Sequence, residues 1–134
     1  DVPSVGSPAL VDASALTEEL LRGAERVLLR TRAEHDHTRF DPGFVAIGGE
    51  AARALVDAGA RLVGIDTPSV DHATNKVLDG HRALYDGRVA ILENLDLRGV
   101  PAGEYELIAL PLRLVGCDAS PVRAILRELP PELG

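Results

Sequence analysis

Three residues in the middle of this chain have side chains that could build a reactive site: Asp66, His81 and Glu93. Asp66 ends the apolar run Leu62-Val63-Gly64-Ile65, and Glu93 ends the run Val89-Ala90-Ile91-Leu92. His81 lies between them in a helix-like segment, past a polar loop from Thr67 to Lys76. Imidazole and carboxylate together suit Zn²⁺, and Mn²⁺ where carboxylates dominate. The same residues also have plain structural uses. A histidine at a helix start can bond a neighbouring carboxylate, and a glutamate can pair with an arginine. Asp66 can accept the second N–H of a ligating imidazole, or it can cap the Thr67-Pro68-Ser69 turn. Residue types alone leave these alternatives open, and Asp71 and His72 in the same loop receive no assignment.

The elements that must position these residues follow one pattern, met three times: a helical segment, a glycine, a charged residue, an apolar run. It runs from Gly23 into Arg26-Val27-Leu28-Leu29, from Gly59 into Arg61 to Ile65, and from Gly87 into Arg88 to Leu92. Short apolar runs preceded by helices predict strands buried on both faces of a parallel α/β sheet. Ligands bind such sheets outside the carboxyl ends of the strands. Thr31, Asp66 and Glu93 all fall at those ends, and His81 lies just beyond the loop that leaves Asp66. The second helix is expected over about Glu50 to Ala58, with Ala51, Leu55 and Ala58 on one face. Thr17 is placed to cap a short helix that Gly23 ends. A short strand is expected near Leu10-Val11. Tyr105 to Leu110 reads as a central strand interrupted by Pro111. Ser120-Pro121 resembles a helix start, whereas Val122, Ala124 and Leu126 alternate like a strand. Pro130-Pro131 ends regular structure, leaving a loose tail to Gly134.

Composition narrows the class. A chain of 134 residues suits one domain, and with 46% hydrophobic but only 3% aromatic residues its core must be aliphatic. The net charge of −7 and the lack of a basic patch argue against nucleic-acid partners. No apolar run approaches the roughly 18 residues of a membrane span, so no membrane partner is expected. Cys117 is the only cysteine and is expected to be a small buried or half-buried thiol; a reducing, cytoplasmic setting fits it. His35 and His37 are read as parts of a solvated loop. Gly48-Gly49 lacks the spacing of a phosphate loop. The chain has no methionine and starts at Asp1, so it is read as a piece of a longer product.

Longer motifs carry a resemblance. V-G-I-D-T-P-S-V-D at Val63 to Asp71, D-G-H-R-A-L at Asp79 to Leu84 and A-I-L-E-N-L at Ala90 to Leu95 resemble the C-terminal half of the metal-dependent cyclase family. That family includes the bacterial kynurenine formamidases. R-V-L-L-R-T at Arg26 to Thr31, Y-E-L-I-A-L-P-L-R at Tyr105 to Arg113 and D-A-S-P-V-R-A-I-L-R-E-L at Asp118 to Leu129 extend it. The resemblance implies a swivelling β/β/α fold with a largely buried mixed or parallel sheet flanked by helices. It implies that His81 and Glu93, twelve residues apart, are metal ligands. Zinc is implied, as two ions in a complete site, with manganese as the alternative.

The family's motif H-x-x-x-H-x-D-x-x-x-H, which supplies the other ligands and the general base, has no match here. The resemblance therefore implies that the N-terminal half is absent, that no catalytic base lies in this chain, and that these residues alone are inactive. The implied activity is hydrolysis of a small amide, N-formylkynurenine, to kynurenine and formate, by a homo-oligomer. Two departures from the formamidases stand out: Gly80, where they tend to have alanine, and Arg82, where they tend to have a second histidine. The alternatives are another cyclase-family hydrolase acting on a cyclic amide or ester, and a non-catalytic domain that binds a partner.

Overall fold

The computed structural model describes residues 2–6, 8–32, 36 and 38–130. His35, His37 and the tail 131–134 lie outside the described residues, and so do the expectations placed on them. The chain forms two compact units, one up to Gly99 and one from Val100 onward.

The first unit is built on a three-stranded parallel sheet. Its strands are β3 (Arg26–Leu29), β4 (Leu62–Ile65) and β5 (Ala90–Leu92), with β4 in the centre. Register pairs Arg26 with Leu62 and Leu62 with Ala90, so the three strands end side by side. These are the three apolar runs that follow a glycine and a charge. The crossovers carry α2 (Gly48–Asp57) and α3 (Asp79–Asp86), which pack on each other. Val63 and Ile65 on one face of β4 join Leu29, Ala51, Leu55 and Leu84 in the core. Gly64 points the other way, where an added Cβ would run into Leu28, Leu92 and Leu95. The central strand is thus covered on both faces, as its unbroken apolar run requires.

A small antiparallel hairpin of β1 (Ser4–Val5) and β2 (Leu10–Val11) precedes the sheet. Leu10 bridges to Ala46, just before α2. The four-residue helix α1 (Glu18–Leu21) starts at Thr17, whose hydroxyl accepts from Leu20 N as a cap. Helix α2 begins abruptly. Gly48 has φ +71°, which only glycine adopts freely. Its N–H and that of Ile47 both donate to Val70 O. The Gly48-Gly49 amides are therefore already satisfied by protein groups, since Gly49 N donates to Asp79 Oδ2.

The second unit contains an antiparallel hairpin, β6 (Tyr105–Pro111) with β7 (Val122–Glu128). This settles Val122 to Leu126 as strand. It also corrects the expected central strand at Tyr105 to Leu110: among the described residues β6 pairs with β7 only. Pro111 does not interrupt β6 but is its last residue, opposite Val122, where a missing N–H costs little. Cys117 lies in the connection between the two strands and is exposed, contrary to expectation.

Leu55 is fully buried at the interface of α2 with the sheet. Leu55→Ala is expected to cost about 2–5 kcal/mol, read from the shift in urea midpoint at constant slope.

Candidate metal centre

The parallel sheet brings three polar residues to its carboxyl edge. Thr31 follows β3, Asp66 follows β4 and Glu93 follows β5. Two of the three are tied together. Asp66 is 2% exposed, and its carboxylate accepts from Thr31 N at 3.0 Å, Thr31 Oγ1 at 2.9 Å and Arg32 N at 3.5 Å. Those bonds clamp the end of β3 to the end of β4. Asp66 is thus neither the acceptor for His81 nor a cap on the Thr67-Pro68-Ser69 turn. The physical reason is register: Leu29 pairs with Ile65, so the next residues face Asp66 directly.

The acceptor for His81 is Asp71. Its Oδ2 accepts from His81 N at 2.8 Å and lies 2.8 Å from His81 Nδ1. Its Oδ1 accepts from Gly80 N at 2.9 Å and from Asn75 Nδ2 at 3.0 Å. Asp71 therefore caps α3 from a distance. The residue at the cap position itself, Leu78, has φ +54° and offers no side-chain bond. Burial pushes the Asp71 carboxyl up, but the hydrogen bonds from His81 and Gly80, with the charge of His81, hold it below its ordinary value. The glycine at position 80 lets this contact close: a Cβ there would sit 2.9 Å from Asp71 Oδ1 and 3.2 Å from Val70 O.

Glu93 arrives from the other side. Its Oε1 accepts from Val70 N at 2.9 Å and lies 3.4 Å from His81 Nε2. Both side chains are about one-third exposed, at 36% for His81 and 32% for Glu93. The ring thus sets Nδ1 against the Asp71 carboxylate and Nε2 against that of Glu93. Nε2 and Glu93 Oε1 face each other across 3.4 Å, close enough to share one cation. An imidazole nitrogen and a carboxylate oxygen fit Zn²⁺ or a similar divalent ion. They make only part of a coordination sphere, because among the described residues no group of three or more His, Cys, Asp or Glu could hold a metal.

Asp71 and Asn75 carry no signal in the sequence. Asp71 meets His81 from ten residues away, across a loop with no periodicity. His72, its neighbour, is spent on structure. Its ring stacks on Phe44 with centroids 5.2 Å apart, and its nitrogens lie 2.9 Å from Thr74 Oγ1 and Pro42 O.

The lowered carboxyl of Asp71 has a definite sign for folding. Its contribution is fully present above the unfolded carboxylate value of about 3.9 and is lost as pH falls through the lower folded value. In metal-free protein, unfolding free energy measured in urea should fall over that acid window. Asp71→Asn should flatten this limb and cost about 1–3 kcal/mol at neutral pH.

Comparison with known proteins identifies the family. The family model described as "Putative cyclase" matches residues 5–72, half of the chain. A kynurenine formamidase of Sphingopyxis alaskensis is 51% identical over 107 residues, which cover 80% of this chain and 51% of that protein. A kynurenine formamidase of Maricaulis maris is 43% identical over 129 residues, covering 96% and 62%. The chain therefore spans about half to three-fifths of the length of these relatives. A solved structure of a potential metal-dependent hydrolase with cyclase activity is 39% identical, with a TM-score of 0.60 over 67% of this chain and 45% of its own. A predicted metal-dependent hydrolase from Bacillus stearothermophilus is also 39% identical, with a TM-score of 0.59 over 65% and 42%. With these motifs in order, this sheet edge and this match, the chain belongs to the cyclase family.

Proposed function

We propose that these residues form part of a metal-dependent amide hydrolase, and that its substrate is N-formylkynurenine. The observation that carries this reading is the convergence of His81 Nε2 and Glu93 Oε1 to 3.4 Å at the sheet edge. It stands in a chain 51% identical to a kynurenine formamidase. His81 and Glu93 would hold the metal, with zinc as the best match to one imidazole and one carboxylate and manganese as the alternative. A bound metal supplies Lewis-acid polarisation of a carbonyl and a water made acidic near neutral pH.

The residues of this chain prepare that chemistry. Asp71 fixes the His81 ring through Nδ1, and Val70 N orients the Glu93 carboxylate. Glu93 contributes the negative charge that draws a divalent ion to the edge. The reaction is addition of water across the formyl C–N bond, giving formate and the free amine. Two donors do not complete a hydrolytic site, so further ligands and the general base come from outside these residues. The chain by itself is then inactive.

A second reading is an action on a cyclic amide or ester. It is supported by the structural relative described as having cyclase activity and by the glycine and arginine that flank His81.

The test uses full-length, metal-loaded protein. N-formylkynurenine should be hydrolysed at an enzyme-like rate and faster than a cyclic amide of similar size; the reverse order would replace the first reading by the second. Glu93→Gln should lower kcat/KM by about 100-fold or more while changing stability by less than about 1 kcal/mol. His81→Ala should also lower bound metal, measured by elemental analysis. Full activity and metal content in both variants would rule these residues out as ligands.

A further inference from the structure

The carboxylate beside His81 sits in a cage of three N–H donors and one ring nitrogen. Gly80 N and Asn75 Nδ2 point at one oxygen of Asp71, and His81 N and His81 Nδ1 crowd the other. Two of these donors are backbone N–H groups, which cannot exchange donor for acceptor. Asn75 has a single orientation that satisfies it. Its Nδ2 donates to Asp71 Oδ1 and to Asp79 Oδ1, and its Oδ1 accepts from Val77 N at 2.9 Å and Leu78 N at 3.1 Å. Flipping that amide would set its oxygen against two carboxylates and its NH₂ against two N–H groups. Asp79 is anchored in turn by Gly49 N at 3.1 Å. The cage thus joins the loop after β4, the start of α2 and the start of α3.

We propose that Asp71, held in place by Asn75, is a positioning residue that selects the His81 tautomer protonated on Nδ1 and leaves Nε2 bare toward Glu93. This rests on the reading of His81 and Glu93 as metal donors. The selection follows from what Asp71 is able to do. An ionised carboxylate has no proton to give, so Asp71 meets His81 Nδ1 as an acceptor. The ring then has only Nε2 left for a metal, and Nε2 is the atom aimed at Glu93. Asparagine at position 71 has one oxygen for four donors. It would present its NH₂ either to Gly80 and Asn75 or to His81. In the second case Nδ1 becomes the acceptor, the ring proton moves to Nε2, and the metal face is blocked. Asn75 acts one step further out. It lies between Asp71 and Asp79, and without its amide the two carboxylates lose the donor they share.

The experiment is a long-range ¹H–¹⁵N correlation of the His81 ring in metal-free, full-length protein, recorded at about pH 9, above the ordinary imidazole range. Zn²⁺ affinity is measured on the same samples by calorimetric titration. The parent should show the proton on Nδ1. Asp71→Asn should move it to Nε2, or to a mixture, and weaken Zn²⁺ binding by about 10- to 100-fold. Asn75→Ala should act in the same direction with a smaller loss, up to about 10-fold. If Asp71→Asn does not fold, the parent spectrum and Asn75→Ala decide. A parent ring protonated on Nε2 overturns the proposal. So do unchanged ring signals and Zn²⁺ affinity in folded Asn75→Ala, a result that leaves the metal reading standing. A tautomer that responds to these substitutions in protein that binds no Zn²⁺ supports the proposal and removes the metal reading instead.

Discussion

A buried carboxylate has to be surrounded by donors, and in this protein that requirement shapes the candidate site. Asp71 is 2% exposed. An ionised group so placed is tolerated only when its oxygens are hydrogen-bonded. The donors come from the first turn of α3 and from the loop that leads to it. Satisfying Asp71 therefore sets where α3 begins and which way its first residues face. His81 is one of those residues. Its position is a by-product of capping a helix, and the capping group doubles as the group that orients its ring.

A second economy lies in the backbone of Val70. Its N–H holds Glu93, and its carbonyl receives the amides of Ile47 and Gly48 at the start of α2. One residue in the loop after β4 thus sets both a carboxylate just past β5 and the start of the helix between β3 and β4. The loop is pinned further by Thr67, whose hydroxyl donates to Val45 O at 2.8 Å and whose own carbonyl accepts from Asn94 N at 2.8 Å. Asn94 adopts φ +58°, a left-handed conformation that asparagine tolerates better than most residues, and this turns the chain just after Glu93. Loops normally carry function at the cost of mobility. Here the segment from Thr67 to Asp79 is bonded to the residues just past β5 and to the starts of α2 and α3.

The candidate ligands also show why the edge of a parallel sheet is a practical place for such a site. Strand pairing aligns the last residues of β3, β4 and β5 without help from side chains. Of the polar residues just past those ends, Thr31 and Asp66 are buried, whereas Glu93 stays partly exposed, with access to water and to an ion. Asp66 uses the same alignment for a structural purpose, clamping Thr31. Position at a strand end is thus compatible with either role, and the partners of each side chain separate them.

Much of this was legible in the sequence, for a physical reason. The three apolar runs after Gly23, Gly59 and Gly87 are long enough only for buried strands, so the parallel sheet, its order of elements and the edge carrying Asp66 and Glu93 follow from patterning. The spacing of His81 and Glu93 within motifs shared with the cyclase family marked them as a pair. The sequence could not say which carboxylate meets His81, because that depends on how a ten-residue loop closes; Asp66 and Asp71 are equivalent until register gives Asp66 to Thr31. Nor could it show Asn75, whose four bonds all fall within four residues but depend on how the loop folds before α3. The hairpin of β6 and β7 divides in the same way. Alternation in Val122 to Leu126 allowed a strand, but a strand's partner is a property of the sheet, and only the tertiary structure set β7 against β6. Local pattern determines which residues become strand or helix and which side they bury. Contacts between groups far apart in the chain decide which polar atom is satisfied by which, and the chemistry of the site is decided at that level.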